Sequence, residues 1–107
     1  MEALGPPCHF AIVRKDMETG ARDAQLGHAI GQSVLGPHSR EMYVVVLACR
    51  DELHLQHEAD RLEREGVALV RVVENAGPYT GQLTAVGLCP GRKGVLGRHV
   101  SQLPRLR

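Results

Sequence analysis

Aromatic residues are scarce in this chain of 107 residues: Phe10, Tyr43 and Tyr79 are all it holds, and tryptophan is absent. That is too few for the stacking platforms on which single-stranded nucleic acids lay their bases. Long hydrophobic runs are missing too. No stretch approaches the ~18 apolar residues needed to span a bilayer, so no membrane segment is expected. Met1 to Pro7 carries Glu2 and a Gly-Pro-Pro stop where a leader would be basic and then apolar. It reads as a mobile tail, neither signal nor transit peptide. The cysteines are Cys8, Cys49 and Cys89, odd in number and without a Cys-x-x-Cys pair. Each ends an apolar run, where a thiol serves as a small buried hydrophobe. That usage argues against a disulfide scaffold or a structural zinc site and points to the reducing cytoplasm.

What is present is the patterning of one α/β domain, expected over residues 8–107. Cys8–Val13 is an almost wholly apolar run, as in a strand with both sheet faces covered. Ala21–Leu35 has helical character and closes on Gly36-Pro37, a stop in which glycine permits the left-handed turn. Met42–Ala48 is rich in β-branched residues and reads as a strand. Asp51 caps a helix running to about Glu65, with Leu55, Ala59 and Leu62 at helical spacing and Gly66 as its stop. Val67–Val73 and Gln82–Cys89 are further strands around the turn-rich loop Asn75–Gly81, and Arg92–Gln102 a short terminal helix. Strand–helix alternation implies parallel pairing with crossovers, whereas the last two strands are joined too closely for one. The expected fold is a three-layer α/β/α sandwich on a four-stranded mixed sheet.

Chemistry concentrates in two places. Successive residues lie about 100° apart on a helix, which brings Gln25, His28 and Gln32 to one face, with Leu26, Ala29, Ile30 and Val34 on a sheet-facing arc. Ala21, Ala24, Gly27 and Gly31 surround the polar face, small enough for a ligand or backbone to come close. Two readings stand side by side: a functional face, or a solvated Gln25 with His28 at a core edge and glycines serving tight helix packing. The second place is the Asn75–Gly81 loop with Thr84 behind it, whose neutral donors and acceptors suit polarising a carbonyl or orienting water. No phosphate-binding loop follows a strand, no serine sits in a nucleophile elbow, and His54 with His57 has no further ligand nearby, so no metal site is expected.

Net charge is +1, yet after Pro90 the charged groups are all basic: Arg92, Lys93, Arg98, Arg105 and Arg107. A basic end hints at phosphate-bearing partners.

Three stretches together carry a resemblance. Val13-Arg-Lys-Asp-Met17, Ala24-Gln-Leu-Gly-His-Ala29, and Asn75-Ala-Gly77 continued by Leu83-Thr-Ala-Val-Gly-Leu-Cys-Pro90 occur in this order. They resemble the motifs of the peptidyl-tRNA hydrolase type II family, in what looks like a divergent bacterial branch. The resemblance implies a mixed-sheet α/β fold, frequently a homodimer, that hydrolyses the ester between a peptide and the 3′ end of tRNA without metal or cofactor. By this likeness His28, Gln25 and Thr84 match the family's histidine, glutamine and strand threonine, and Asn75 stands where it carries an aspartate. His28 would activate or orient water, with Gln25, Asn75 and Thr84 positioning water and carbonyl. Arg14, Lys15, Arg22, Arg92 and Lys93 would meet the phosphates of the acceptor stem. The family's lysine-rich approach to the helix is replaced by Gly20-Ala-Arg-Asp-Ala-Gln25, where Arg22 supplies charge but no proton near neutral pH. A relative that has lost catalysis and binds tRNA or a protein is the second expectation, and a small-molecule or regulatory domain the third.

Overall fold

A computed structural model describes residues 5–34 and 42–107. The chain runs β1 (Pro7–Arg14), α1 (Thr19–Ser33), β2 (Tyr43–Cys49), α2 (Glu52–Arg64), β3 (Leu69–Val73), β4 (Leu83–Leu88), β5 (Gly91–Arg92) and α3 (Lys93–Val100). The four long strands lie in the order β2-β1-β4-β3. β1 pairs β2 in parallel, and β4 is antiparallel to both β1 and β3. This is an α/β fold on a mixed sheet. The two-residue β5, absent from the sequence expectation, adds to the Pro7 end of β1. Residues 36 and 37, expected to stop α1, lie outside the described residues, as do Met1–Leu4 of the expected tail. Of that tail's remainder, Pro6 accepts the Lys93 backbone N–H and Pro7 already belongs to β1.

β1 sits between neighbours and is buried from Cys8 to Arg14. Its side chains alternate between the faces, as a strand's must. Cys8, Phe10 and Ile12 join the cluster built by Leu55, Ala59 and Leu62 of α2 and Val100 of α3. His9 and Val13 turn the other way, toward Ser33 and Ala29 of α1. One helix therefore covers one face and two cover the other, with the sheet as the middle layer.

α2 follows its sequence signals closely. Asp51 accepts the His54 N–H (2.9 Å), capping the orphan donors of the first turn, and Gly66 takes φ 84° where the chain leaves the helix. α1 packs unusually close to the sheet. A Cβ on Gly87 of β4 would lie 2.8 Å from Ser33 Cβ and collide with the Ala29 carbonyl oxygen, so only glycine fits there. Past α3, the last residues run along the outer edge of β2: Ala48 N–H donates to Pro104 O (2.8 Å) and Leu106 N–H to Val46 O (2.9 Å). Among the described residues no helix is long and apolar enough to cross a membrane.

Candidate functional site

The three matched stretches, distant in sequence, meet at the Arg14 end of the sheet. Arg14 closes β1 with a side chain that is 6% exposed. Its Nε and Nη2 donate to the two oxygens of Asp16 (2.9 and 2.8 Å), and its Nη1 to Gln82 Oε1 (2.8 Å) and Leu83 O (3.2 Å). The Tyr79 ring lies 5.7 Å from the guanidinium carbon, within cation–π range. Hydrogen bonding with Arg14 pulls Asp16 below the usual carboxylate range and pushes Arg14 up. Arg14 was expected to meet phosphates. Its donors instead turn inward, joining the start of β4 to the end of β1.

Next to this clamp lies a chain of polar groups. Thr84, fully buried, faces Gln25 Oε1 (2.9 Å) and Val72 O (3.1 Å) with its hydroxyl donor. Gln25, 4% exposed, donates through Nε2 to Glu74. The other Glu74 oxygen accepts the Asn75 backbone N–H (2.9 Å). The β3–β4 register produces this arrangement, because Val72 and Thr84 lie beside each other where the ladder breaks between Val72 and Val73. Burial requires each of these groups to have a partner, and each has one.

The loop after Glu74 is closed at its root by Gly81 N–H to Glu74 O (2.8 Å) and Glu74 N–H to Gln82 O (3.1 Å). Gly77 and Gly81 both take positive φ, 79° and 80°. The closure places Tyr79 above Arg14 and lets the Tyr79 hydroxyl accept the Glu18 N–H (3.1 Å) just ahead of α1. The Asn75 side chain is exposed and takes no part in the buried chain.

α1 differs from its expected orientation. Its sheet-facing residues are Gln25, Ala29 and Ser33, while His28 and Gln32 are exposed. Gln25 therefore points inward and His28 outward, one on each side of the helix boundary instead of on one shared face. The glycines do not serve packing within the described residues either: a Cβ on Gly27 or Gly31 would meet nothing within 4 Å.

The basic residues do not converge. Arg22 lies 3.5 Å from the Asp23 carboxylate. Lys15 is exposed, and its backbone N–H continues the parallel ladder to Cys49 O (2.9 Å), on the β2 side. Arg92 and Lys93 are exposed at the Pro7 end of β1, because Arg92 pairs with Pro7. Seven strand steps of ~3.3 Å put them roughly 23 Å from Arg14.

Sequence reasoning missed Glu74, Asp16, Tyr79 and Gln82. For Glu74 a signal existed: a lone carboxylate directly after the strand run Val67–Val73 and immediately before Asn75. Together, these groups hold a half-buried carboxylate in a set direction at a strand end, and exposed His28 stands three residues beyond Gln25 on α1. A carboxylate so held can orient or deprotonate a water, and an exposed imidazole can give or take a proton. No family model matches the chain, and no curated protein matches it.

Proposed function

We propose that the protein is a metal-independent cytoplasmic hydrolase of the peptidyl-tRNA hydrolase type II kind, cleaving the ester of peptidyl-tRNA or N-blocked aminoacyl-tRNA. In this reading Glu74 activates the water, Gln25 and Thr84 hold the Glu74 carboxylate in direction, and His28 gives a proton to the leaving ribose oxygen. The observation that carries the reading is the hydrogen-bonded chain Thr84–Gln25–Glu74. It joins two of the three matched motifs and supplies a carboxylate beside Asn75. The test is release of labelled N-acyl amino acid from acylated tRNA by the purified protein. Glu74→Gln should lower the rate by about 10²–10⁴-fold, the usual worth of one acid–base group, and His28→Ala should lower it measurably. Unchanged rates in Glu74→Gln would remove the carboxylate from its role.

One observation favours a second reading, a tRNA- or protein-binding module with no turnover. Gln25 and Thr84 are buried and bonded to each other, and among the described residues His28 makes no hydrogen bond to that chain. Binding of tRNA that weakens steeply with salt, without any ester cleavage by the wild-type protein, is the result expected from it.

A further inference from the structure

At the carboxyl ends of the parallel pair β1 and β2 lies a cavity of about 280 Å³, separate from the Gln25–Glu74 chain. Parallel strands leave a crevice at this end where ligands of many α/β proteins bind. Here the start of α2 forms one wall and the segment after α3 another. The segment is held by Pro104 O, which accepts the Ala48 N–H (2.8 Å), and by Gln102 Nε2, which donates to Glu58 (3.4 Å).

The lining is mixed in a particular way. Cys49 and Leu103, both buried, form an apolar floor. Burial pushes the Cys49 thiol up to about 12, so the floor bears no negative charge at neutral pH. Lys15 and Arg50 stand at the rim, exposed, and neither side chain has an acidic partner among the described residues. His54, four residues beyond Arg50 in the first turns of α2, also lines the cavity. Its Nδ1 accepts the Arg50 N–H (3.0 Å), which leaves Nε2–H as the remaining donor of the neutral ring. The one carboxylate in the lining, Glu58, is already engaged by Arg61 through two hydrogen bonds of 2.8 and 3.2 Å. Asp51 is likewise occupied as the cap of α2. What the rim offers an anion is an ammonium, a guanidinium and a neutral imidazole N–H above an apolar floor.

We propose that this cavity binds a small phosphate ester, its phosphate on Lys15, Arg50 and His54 and its organic part on Cys49 and Leu103. Three donors of separate origin match the terminal oxygens of a phosphate monoester better than a single carboxylate, and arginine forks suit phosphate geometry. The site is independent of the hydrolase reading, and the absence of ester cleavage would leave it untouched.

The test is a titration of the ¹⁵N-labelled full chain with phenyl phosphate, followed by amide chemical shifts. Saturable shifts confined to Lys15, Cys49–His54 and Leu103 are expected. Lys15→Ala and Arg50→Ala alter exposed side chains, so the remaining spectrum should be preserved, and each should weaken binding about tenfold, equivalent to ~1.4 kcal/mol. Inorganic phosphate, lacking the organic part, should bind more weakly, and benzyl alcohol should produce no shifts there. Benzoate should bind about tenfold more weakly than phenyl phosphate. No saturable shift at these amides, equal binding by benzoate, or undiminished binding by the Lys15→Ala/Arg50→Ala double variant would each overturn the proposal.

Discussion

At the scale of single residues, the arrangement turns on side chains that have exchanged solvent for one another. Thr84 is the clearest. Replacing it with valine keeps the shape but removes the donor facing Gln25 Oε1 inside the protein. An acceptor stranded by such a change costs about 1–3 kcal/mol, and urea denaturation of Thr84→Val should show a loss of that size. Asp16 makes a prediction in pH. Its carboxyl is held below the ordinary range by Arg14, so the pair stabilises the fold above the unfolded value of about 4 and loses that contribution as pH falls through the lower folded value. Asp16 is 40% exposed, and solvent screening reduces what the pair contributes. Asp16→Asn should therefore cost about 1–2 kcal/mol at neutral pH, and the gap from wild type should close below pH ~4. Urea midpoints across pH would show it; a gap that stays constant into acid would mean the ion pair contributes nothing.

At the scale of elements, the decisive contact is α1 on β4. Helix and strand approach so closely at Gly87 that one methyl group has no room. Gly87→Ala must separate them, which opens the Gln25–Thr84 hydrogen bond four residues along the helix from Ala29. Overpacking of this kind typically costs ~1–3 kcal/mol, and because backbone is the obstacle we expect the upper part of that range. Thermal unfolding would measure the loss. A variant as stable as wild type would mean the helix can slide without consequence. The glycines that stand out in the sequence, Gly27 and Gly31, have no comparable neighbour. Composition alone distinguishes poorly between a glycine that is needed and one that is merely exposed, because need arises from what packs opposite.

For the molecule as a whole, the last residues act as a strap over β2. Cutting the chain after Leu103 would remove the Ala48–Pro104 and Val46–Leu106 hydrogen bonds and the packing of Leu106. At about 1 kcal/mol per hydrogen bond with packing in addition, we expect a loss of roughly 2–4 kcal/mol. The bared strand edge should also make the truncated protein associate at high concentration, as unpaired edges do. Sedimentation beside thermal unfolding checks both; a monomer of unchanged stability would show that the strap contributes nothing. The strap also decides where cavities form, since its path past Cys49 creates the crevice assigned above to a phosphate ester.

The sequence by itself determined the helices, the four long strands and their order, though not the two-residue β5. Hydrophobic period, the Asp51 cap, the Gly66 stop and the β-branched runs are local signals, and each acts within a few residues of the structure it specifies. It also singled out Gln25, Thr84 and the Asn75 loop, which do come to one end of the sheet. Only the tertiary structure decided which way those groups face. The arc of Leu26, Ala29 and Ile30 implied a helix orientation that would leave Gln25 with His28, yet β4 offers a buried hydroxyl at Thr84 and a glycine at Gly87, and α1 turns to use both. The same holds for charge. Arg14 and Lys15 are adjacent in sequence, but strand alternation sends one into the clamp with Asp16 and the other toward β2, while the register of β1 with β5 carries Arg92 and Lys93 to the far end. Partners across a sheet are set by register, and register is a property of the assembled strands rather than of any one stretch of chain.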